Sequence, residues 1–208
     1  VLAACGGDAA PALSPAYQRF RDQPTACGAE QPEPARALSF AAPDELGLSG
    51  SLTATIHTSC GDITIELRPD LAPVTVNSFV FLAEQGYFDG TVSHRILSGF
   101  VVQLGDPTAT GTGSPGYRIP DELPGTGFVY ETGVVAMANG GPDTGGSQFF
   151  IALDRIGLDP NFTVFGFVTA GADTLDRIAA IPVAVNSSTG EPSLPLQTLY
   201  VESVSIDR

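Results

Sequence analysis

At 208 residues and 43% hydrophobic content, the chain has the material for one globular domain with some length to spare. Its formal charge is −14, and the nine basic residues, all arginine, form no run, so a nucleic-acid partner has no electrostatic footing and an anionic bilayer would repel the chain. Gly (24) and Pro (17) are abundant, which favours many turns and short strands over long helices.

The small residues Leu2-Ala3-Ala4 directly before Cys5 resemble a bacterial lipobox. That resemblance implies a lipid on the Cys5 sulfur, with residues 1–5 as the remnant of a removed signal. It places the protein outside the cytoplasm, tethered to the cell membrane. The alternative is a free thiol. The sequence has no apolar stretch long enough to span a bilayer, so the lipid is the only membrane contact expected. Residues 6–50 are rich in Ala, Pro, Gly and Asp with little periodicity, and read as a linker or an arm over a domain surface. One short helix is expected inside it: Ser14-Pro15 supplies an N-cap and a first-turn proline, Pro24 ends the run, and Tyr17 and Phe20 share a face. With Cys5 acylated, Cys27 and Cys60 are left as an even pair. In an oxidising compartment a disulfide is the expectation, worth about 3–4 kcal/mol in the chain-entropy model. The alternative is two buried thiols.

Residues 51–208 read as one domain. Ala54, Ile56 and Thr58 alternate, as do Ile63, Ile65 and Leu67, and Ser59-Cys60-Gly61-Asp62 between them is a turn, which predicts a β-hairpin. A helix follows, opened by Pro73 and stopped by Gly86. Val76, Phe79, Val80 and Ala83 form its apolar stripe. Strand-like runs are expected at 92–97, 99–104, 128–130, 133–137, 147–152 and 163–168, then a helix over 171–180 and a closing strand near 197–206. This pattern predicts a mainly β fold, a barrel or sandwich with capping helices.

Several familiar motifs lead nowhere. Gly111-Thr112-Gly113-Ser114-Pro115-Gly116 fits G-x-G-x-x-G, but Pro115 removes a backbone N–H that a phosphate cradle needs, and no helix pattern follows. His57-x-x-Cys60 is at most half a zinc site in a chain with two histidines, so no metal is expected. Ser147 stands in Gly-Gly-Ser-Gln-Phe, which is not a nucleophile elbow.

Three blocks remain. The first runs from Ser93-His94-Arg95 to Phe100-Val101-Val102-Gln103-Leu104-Gly105-Asp106. The second is Met137-Ala138-Asn139-Gly140-Gly141, continued by Ser147-Gln148-Phe149-Phe150-Ile151. The third is Leu158-Asp159-Pro160-Asn161-Phe162-Thr163-Val164-Phe165-Gly166. In order and spacing they resemble the cyclophilin signatures F-H-R-x-x-x-x-F-x-x-Q-x-G-D, M-A-N-x-G-x-x-x-x-x-S-Q-F-F-I and L-D-x-x-x-x-V-F-G, over about residues 53–207. The resemblance implies an eight-stranded antiparallel barrel with a helix over each open end. It also implies peptidyl-prolyl cis-trans isomerase activity on proline-containing polypeptide segments, with no cofactor, and a monomer is expected. The alternative is a module that grips such segments with little turnover.

The residues suit that reaction. Twisting an amide breaks its resonance, against a barrier of about 18–20 kcal/mol. The twisted amide is less polar than the planar one and gains a lone pair on nitrogen. An apolar pocket and a fixed cationic donor therefore favour it. By resemblance Arg95 is that donor, and Gln103, beside it by strand alternation, orients the guanidinium through a hydrogen bond. Phe100, Val101, Phe150, Leu158 and Phe162 correspond to the proline pocket. Ala138 and Asn139 correspond to a backbone ledge for the extended peptide, and His94 and Gln148 to the rim. Three positions depart from the family: Ser93 stands for Phe, Val101 for a frequent Met, and Gly157 for a frequent Trp. The last predicts weak binding of cyclosporin, whose macrocycle needs that wall.

Overall fold

The computed structural model describes residues 14–208; Cys5 and the lipobox-like stretch lie outside the described residues. The elements are α1 (Pro15–Arg21), β1 (Leu52–Thr58), β2 (Gly61–Leu67), α2 (Pro73–Glu84), β3 (Arg95–Ile96), β4 (Val101–Leu104), β5 (Val134–Met137), β6 (Phe149–Ala152), β7 (Val164–Ala170), α3 (Ala172–Ala179), β8 (Val183–Val185), β9 (Pro192–Pro195) and β10 (Val201–Asp207). Eight strands form one antiparallel sheet in the order β10-β1-β2-β7-β5-β6-β4-β3, and β8 pairs with β9 apart from it.

The predicted hairpin forms with Ile56 opposite Ile63 and Ala54 opposite Ile65. Gly61, at φ 118°, takes a backbone conformation that a side chain would strain. The large sheet curls until the segments flanking its end strands meet. There Gly90 N–H donates to the Val201 carbonyl at 2.8 Å, and Ser93 N–H donates to Leu199 at 3.0 Å. Inside the curl lie Ile63, Ile65, Val102, Leu104, Val135, Phe149 and Phe165. Phe79 of α2 plugs one end, its ring centroid 5.4 Å from Phe149 and 5.2 Å from Phe165. Leu175 and Ile178 of α3 join the same core. No residue at the start of α2 caps its free N–H groups. Glu122 does so from a distant loop, accepting from Val74 N–H at 3.0 Å and Thr75 N–H at 2.8 Å.

Two expectations need correcting, and one element was not expected. Residues 128–130 join no ladder; Tyr130 makes a single bridge to Ile156. The run 92–97 shrinks to the two residues of β3, opposite Val102 and Gln103. The β8–β9 hairpin was not foreseen, because Pro192 and Pro195 sit inside β9 and proline ordinarily argues against a strand.

Residues 14–50 lie on the domain as an ordered arm. The α1 helix begins as predicted, with Ser14 Oγ accepting from Tyr17 N–H at 2.9 Å. Tyr17 and Phe20 are both buried. The Tyr17 hydroxyl donates to the Gly90 carbonyl at 2.5 Å and accepts from Ala35 N–H at 2.8 Å. Further on, Ala26 N–H donates to Thr198 and Thr198 N–H donates to Pro24, both at 2.9 Å. Cys27 and Cys60 are joined as a disulfide across 33 positions, which ties the arm to the β1–β2 turn.

Candidate active site

Strands β4 to β7 are buried on both faces along much of their length. Alternation sends Val102, Leu104, Val135, Phe149, Ile151 and Phe165 into the interior. It sends Val101, Val134, Ala136, Phe150, Ala152 and Val164 outward, into a second apolar cluster. Phe100, Phe128, Ala138, Leu158 and Phe162 pack against that cluster while staying partly open to solvent. The five residues expected to grip a proline ring, Phe100, Val101, Phe150, Leu158 and Phe162, thus come together. The Phe162 ring meets Phe150 edge-on at 5.5 Å. Tyr130, fully buried beneath them, fixes the Phe162 backbone: its hydroxyl donates to the Phe162 carbonyl at 2.9 Å and accepts from Phe162 N–H at 3.2 Å. Nothing in the sequence marks this role, since Tyr130 stands in a strand-like run like its neighbours.

Arg95 sits at the border of this cluster, its guanidinium carbon 5.6 Å from the centroid of the Phe100 ring. Gln103 faces it across the β3–β4 ladder, as expected. The expected hydrogen bond between them is not made. Arg95 Nε and Nη2 instead donate to Glu191 Oε2 and Oε1 at 3.0 and 2.9 Å. A carboxylate accepts both bonds with charge assistance, which a neutral amide cannot match. The bond to Arg95 in turn holds the Glu191 carboxyl below its ordinary pKa. Gln103 Nε2 donates to Gln148 Oε1 at 3.0 Å, and Gln148 Nε2 donates to the Gly113 carbonyl at 3.0 Å. The two glutamines therefore lash the 106–113 loop to the strands.

That loop is organised from within by Asp106, whose buried carboxylate accepts from the N–H groups of Thr108, Thr110 and Gly111 at 2.8, 3.1 and 2.6 Å. Gln103, Ala138, Asn139 and Gln148 line a cavity of about 390 Å³ with Tyr117 and Arg118. Asn139, Leu158 and Phe162 also line a neighbouring hollow of about 500 Å³. Ala138 N–H is occupied by the Gln148 carbonyl at 2.9 Å. The backbone N–H and C=O of Asn139 have no partner among the described residues, so the ledge there is free to pair with an extended chain. Asn139's side chain donates to the Asn161 carbonyl at 2.8 Å, tying the ledge to the third signature block.

His94 lies apart from these walls. A Cβ on Gly111 would stand 3.5 Å from its Nε2, so the ring sits beneath the loop, where burial pushes its pKa down. Ser147 is no nucleophile: its buried hydroxyl donates to the Gly105 carbonyl at 2.7 Å. His57 pairs with Asp62 at 2.8 Å, and Cys60 is spent in the disulfide.

An apolar pocket flanked by a held guanidinium and a free backbone ledge defines a site for a proline-bearing extended chain. The profile described as cyclophilin type peptidyl-prolyl cis-trans isomerase/CLD matches residues 53–204. Peptidyl-prolyl cis-trans isomerase B of Streptomyces anulatus is 42% identical over 179 residues, covering 77% of this chain and 99% of that protein. A probable peptidyl-prolyl cis-trans isomerase B of Mycobacterium tuberculosis is 40% identical, the match covering 75% of this chain and 54% of that longer protein. The crystal structure of a cyclophilin-type isomerase from Cryptosporidium parvum superposes with a TM-score of 0.69 at 29% identity, covering 76% of this chain and 99% of that one. The chain belongs to the cyclophilin-type peptidyl-prolyl cis-trans isomerase family. Its reaction is the cis-trans isomerisation of peptide bonds that precede proline.

Proposed function

We propose that the reaction runs at the border between the outer aromatic cluster and Arg95, with Arg95 as the catalytic cation. The observation that carries this reading is the seat of the guanidinium: over the Phe100 ring and beside the cluster formed by Val101, Phe150, Leu158 and Phe162. The proline ring enters the cluster and leaves water behind, which disfavours the polar planar amide relative to the twisted one. Arg95 then donates to the nitrogen lone pair, which exists only once resonance is lost. The flanking chain pairs with the Asn139 backbone, so the bond to be twisted is held on both sides. Gln103 and Gln148 act on the loop that forms the far wall and make no hydrogen bond to the guanidinium. A second Cryptosporidium parvum structure, determined in the presence of the dipeptide Ala-Pro, has a TM-score of 0.67 and supports the same class of ligand.

The decisive experiment is the rate of isomerisation of a short X-Pro peptide by Arg95→Ala. A fall of about a hundredfold or more in kcat/KM with an unchanged melting temperature is expected, since a removed transition-state donor typically costs that much. A variant that keeps near-full rates would remove Arg95 from the mechanism.

The setting is proposed to be extracytoplasmic, with clients folding after export. Leu2-Ala3-Ala4-Cys5 supports a lipid anchor, and the Cys27–Cys60 pairing suits an oxidising compartment. The intact mass of protein isolated from its own cells tests both. A chain without diacylglycerol on Cys5, or one carrying the two thiol hydrogens, would overturn the corresponding assignment.

A further inference from the structure

Glu191 stands outside all three signature blocks, yet it is the group that holds the guanidinium of Arg95. It lies in the turn between β8 and β9, and its backbone is pinned there. Asn186 N–H donates to its carbonyl at 2.7 Å, Ser193 N–H donates to the same oxygen at 2.9 Å, and its own N–H donates to Thr189 Oγ1 at 3.3 Å. The hairpin as a whole is fixed by pairing of Val183 with Pro195 and Ala184 with Leu194. The carboxylate is therefore presented from a braced turn.

Its grip on Arg95 has the two parallel bonds that fix the plane of a guanidinium as well as its position. The guanidinium also lies over the Phe100 ring. Nη1 has no hydrogen-bond partner among the described residues, so its two N–H groups, with the second N–H of Nη2, are left for a substrate. The pair is only partly exposed, and its bidentate geometry sets it apart from ordinary surface ion pairs, which hold their side chains loosely. A donor that catalyses by differential binding must be in place before the amide twists, because any reorganisation at that moment adds to the barrier.

We propose that Glu191 is a positioning residue of this isomerase: both its carboxylate oxygens hold Arg95 through Nε and Nη2, leaving the two N–H groups of Nη1 and the second N–H of Nη2 to face the twisted amide. This inference rests on Arg95 being the catalytic cation. It gives the β8–β9 hairpin a task in the reaction, and it assigns to a carboxylate the orienting role that the signature alone would give to Gln103.

The test measures kcat and KM separately, by NMR exchange on an X-Pro peptide, for Glu191→Ala, Glu191→Gln, Arg95→Ala and the double variant. Glu191→Ala is expected to lower kcat about tenfold with KM nearly unchanged, the usual scale for loosening the support of a catalytic group. Glu191→Gln, which keeps the shape and one acceptor, should fall between it and the wild type. The double variant should be no slower than Arg95→Ala alone. The Arg95 Nε–H resonance should be resolved in the wild type and lost to solvent exchange in Glu191→Ala. A kcat equal to or above wild type in Glu191→Ala would overturn the proposal, the latter showing that the carboxylate masks the arginine. A further loss on adding Glu191→Ala to Arg95→Ala would also overturn it, since Glu191 would then act elsewhere. If Arg95→Ala itself keeps wild-type rates, the reading of Arg95 fails. If Arg95→Ala is slow and Glu191→Ala is not, only the positioning role fails.

Discussion

Strands β4 to β7 carry two apolar clusters back to back, built from alternate residues of the same segments. The inner one, around Phe79, Phe149 and Phe165, is closed: each of these rings is 1% exposed or less. The outer one has a closed floor of Val101, Tyr130 and Phe150 and an open rim of Phe100, Leu158 and Phe162. Composition does not separate them, since both are aromatic and aliphatic. What separates them is the covering. Helices α2 and α3 complete the inner cluster, whereas nothing in the described chain completes the outer one. An apolar cluster left one layer short keeps its affinity for an apolar guest, on the reading proposed above the proline ring.

That contrast can be broken from the inside first. Phe149→Ala leaves a void among rings that cannot collapse to fill it, and should cost about 3–5 kcal/mol of stability. Its denaturation midpoint should fall steeply, while kcat/KM per folded molecule stays close to wild type. An equal loss of specific activity would mean that the two faces are not independent.

Phe162→Ala should give the opposite pattern. The ring is partly exposed, so its removal should cost only about 1–2 kcal/mol of stability, less than a fully buried ring. Isomerisation of an X-Pro peptide should nevertheless slow by about ten- to a hundredfold, because the proline loses one wall of its pocket. Paired denaturation and rate measurements on the two variants would sharpen the comparison, and parallel losses in both would dissolve it.

The smallest effect lies at the rim. Gly157 is exposed, and a Cβ built there meets nothing within 4 Å. With no aromatic wall at that position, cyclosporin is expected to inhibit only weakly. Gly157→Trp should tighten inhibition by about tenfold, the scale of one added aromatic contact, and leave turnover of small peptides unchanged. Titration of both proteins with the drug in the rate assay checks this. Low-nanomolar inhibition of the unaltered protein would show that another side chain already supplies the wall.

Much of this was legible in the sequence because it is local. Alternation at Ala54, Ile56 and Thr58 needs only neighbours to be read, and so does the Ser14-Pro15 start of α1. That Phe100, Val101, Phe150, Leu158 and Phe162 belong together was legible for another reason: their blocks resemble signatures of one family. Read singly, each would pass for core, and the structure shows why, since the floor of the site is a core face. Glu191 was not legible. It reaches Arg95 from 96 positions away in the chain, off a hairpin whose prolines hide it. The bond expected from Gln103 to Arg95 failed for a related reason. Register placed the two side by side, but partner choice depends on which charge the fold delivers to the spot.

The arm has a consequence of a different kind. A sheet that does not close fully has two rims of unpaired peptide groups, and such rims recruit strands from other molecules. Here the rims meet at residues 90–93 and 199–201, and the arm is laid across that junction. The Tyr17 hydroxyl holds the Gly90 carbonyl, and backbone bonds join Pro24 and Ala26 to Thr198. The disulfide fastens the same stretch to the first hairpin. A segment that reads in sequence as a linker or an arm over the domain surface thus serves as a selvedge at that junction.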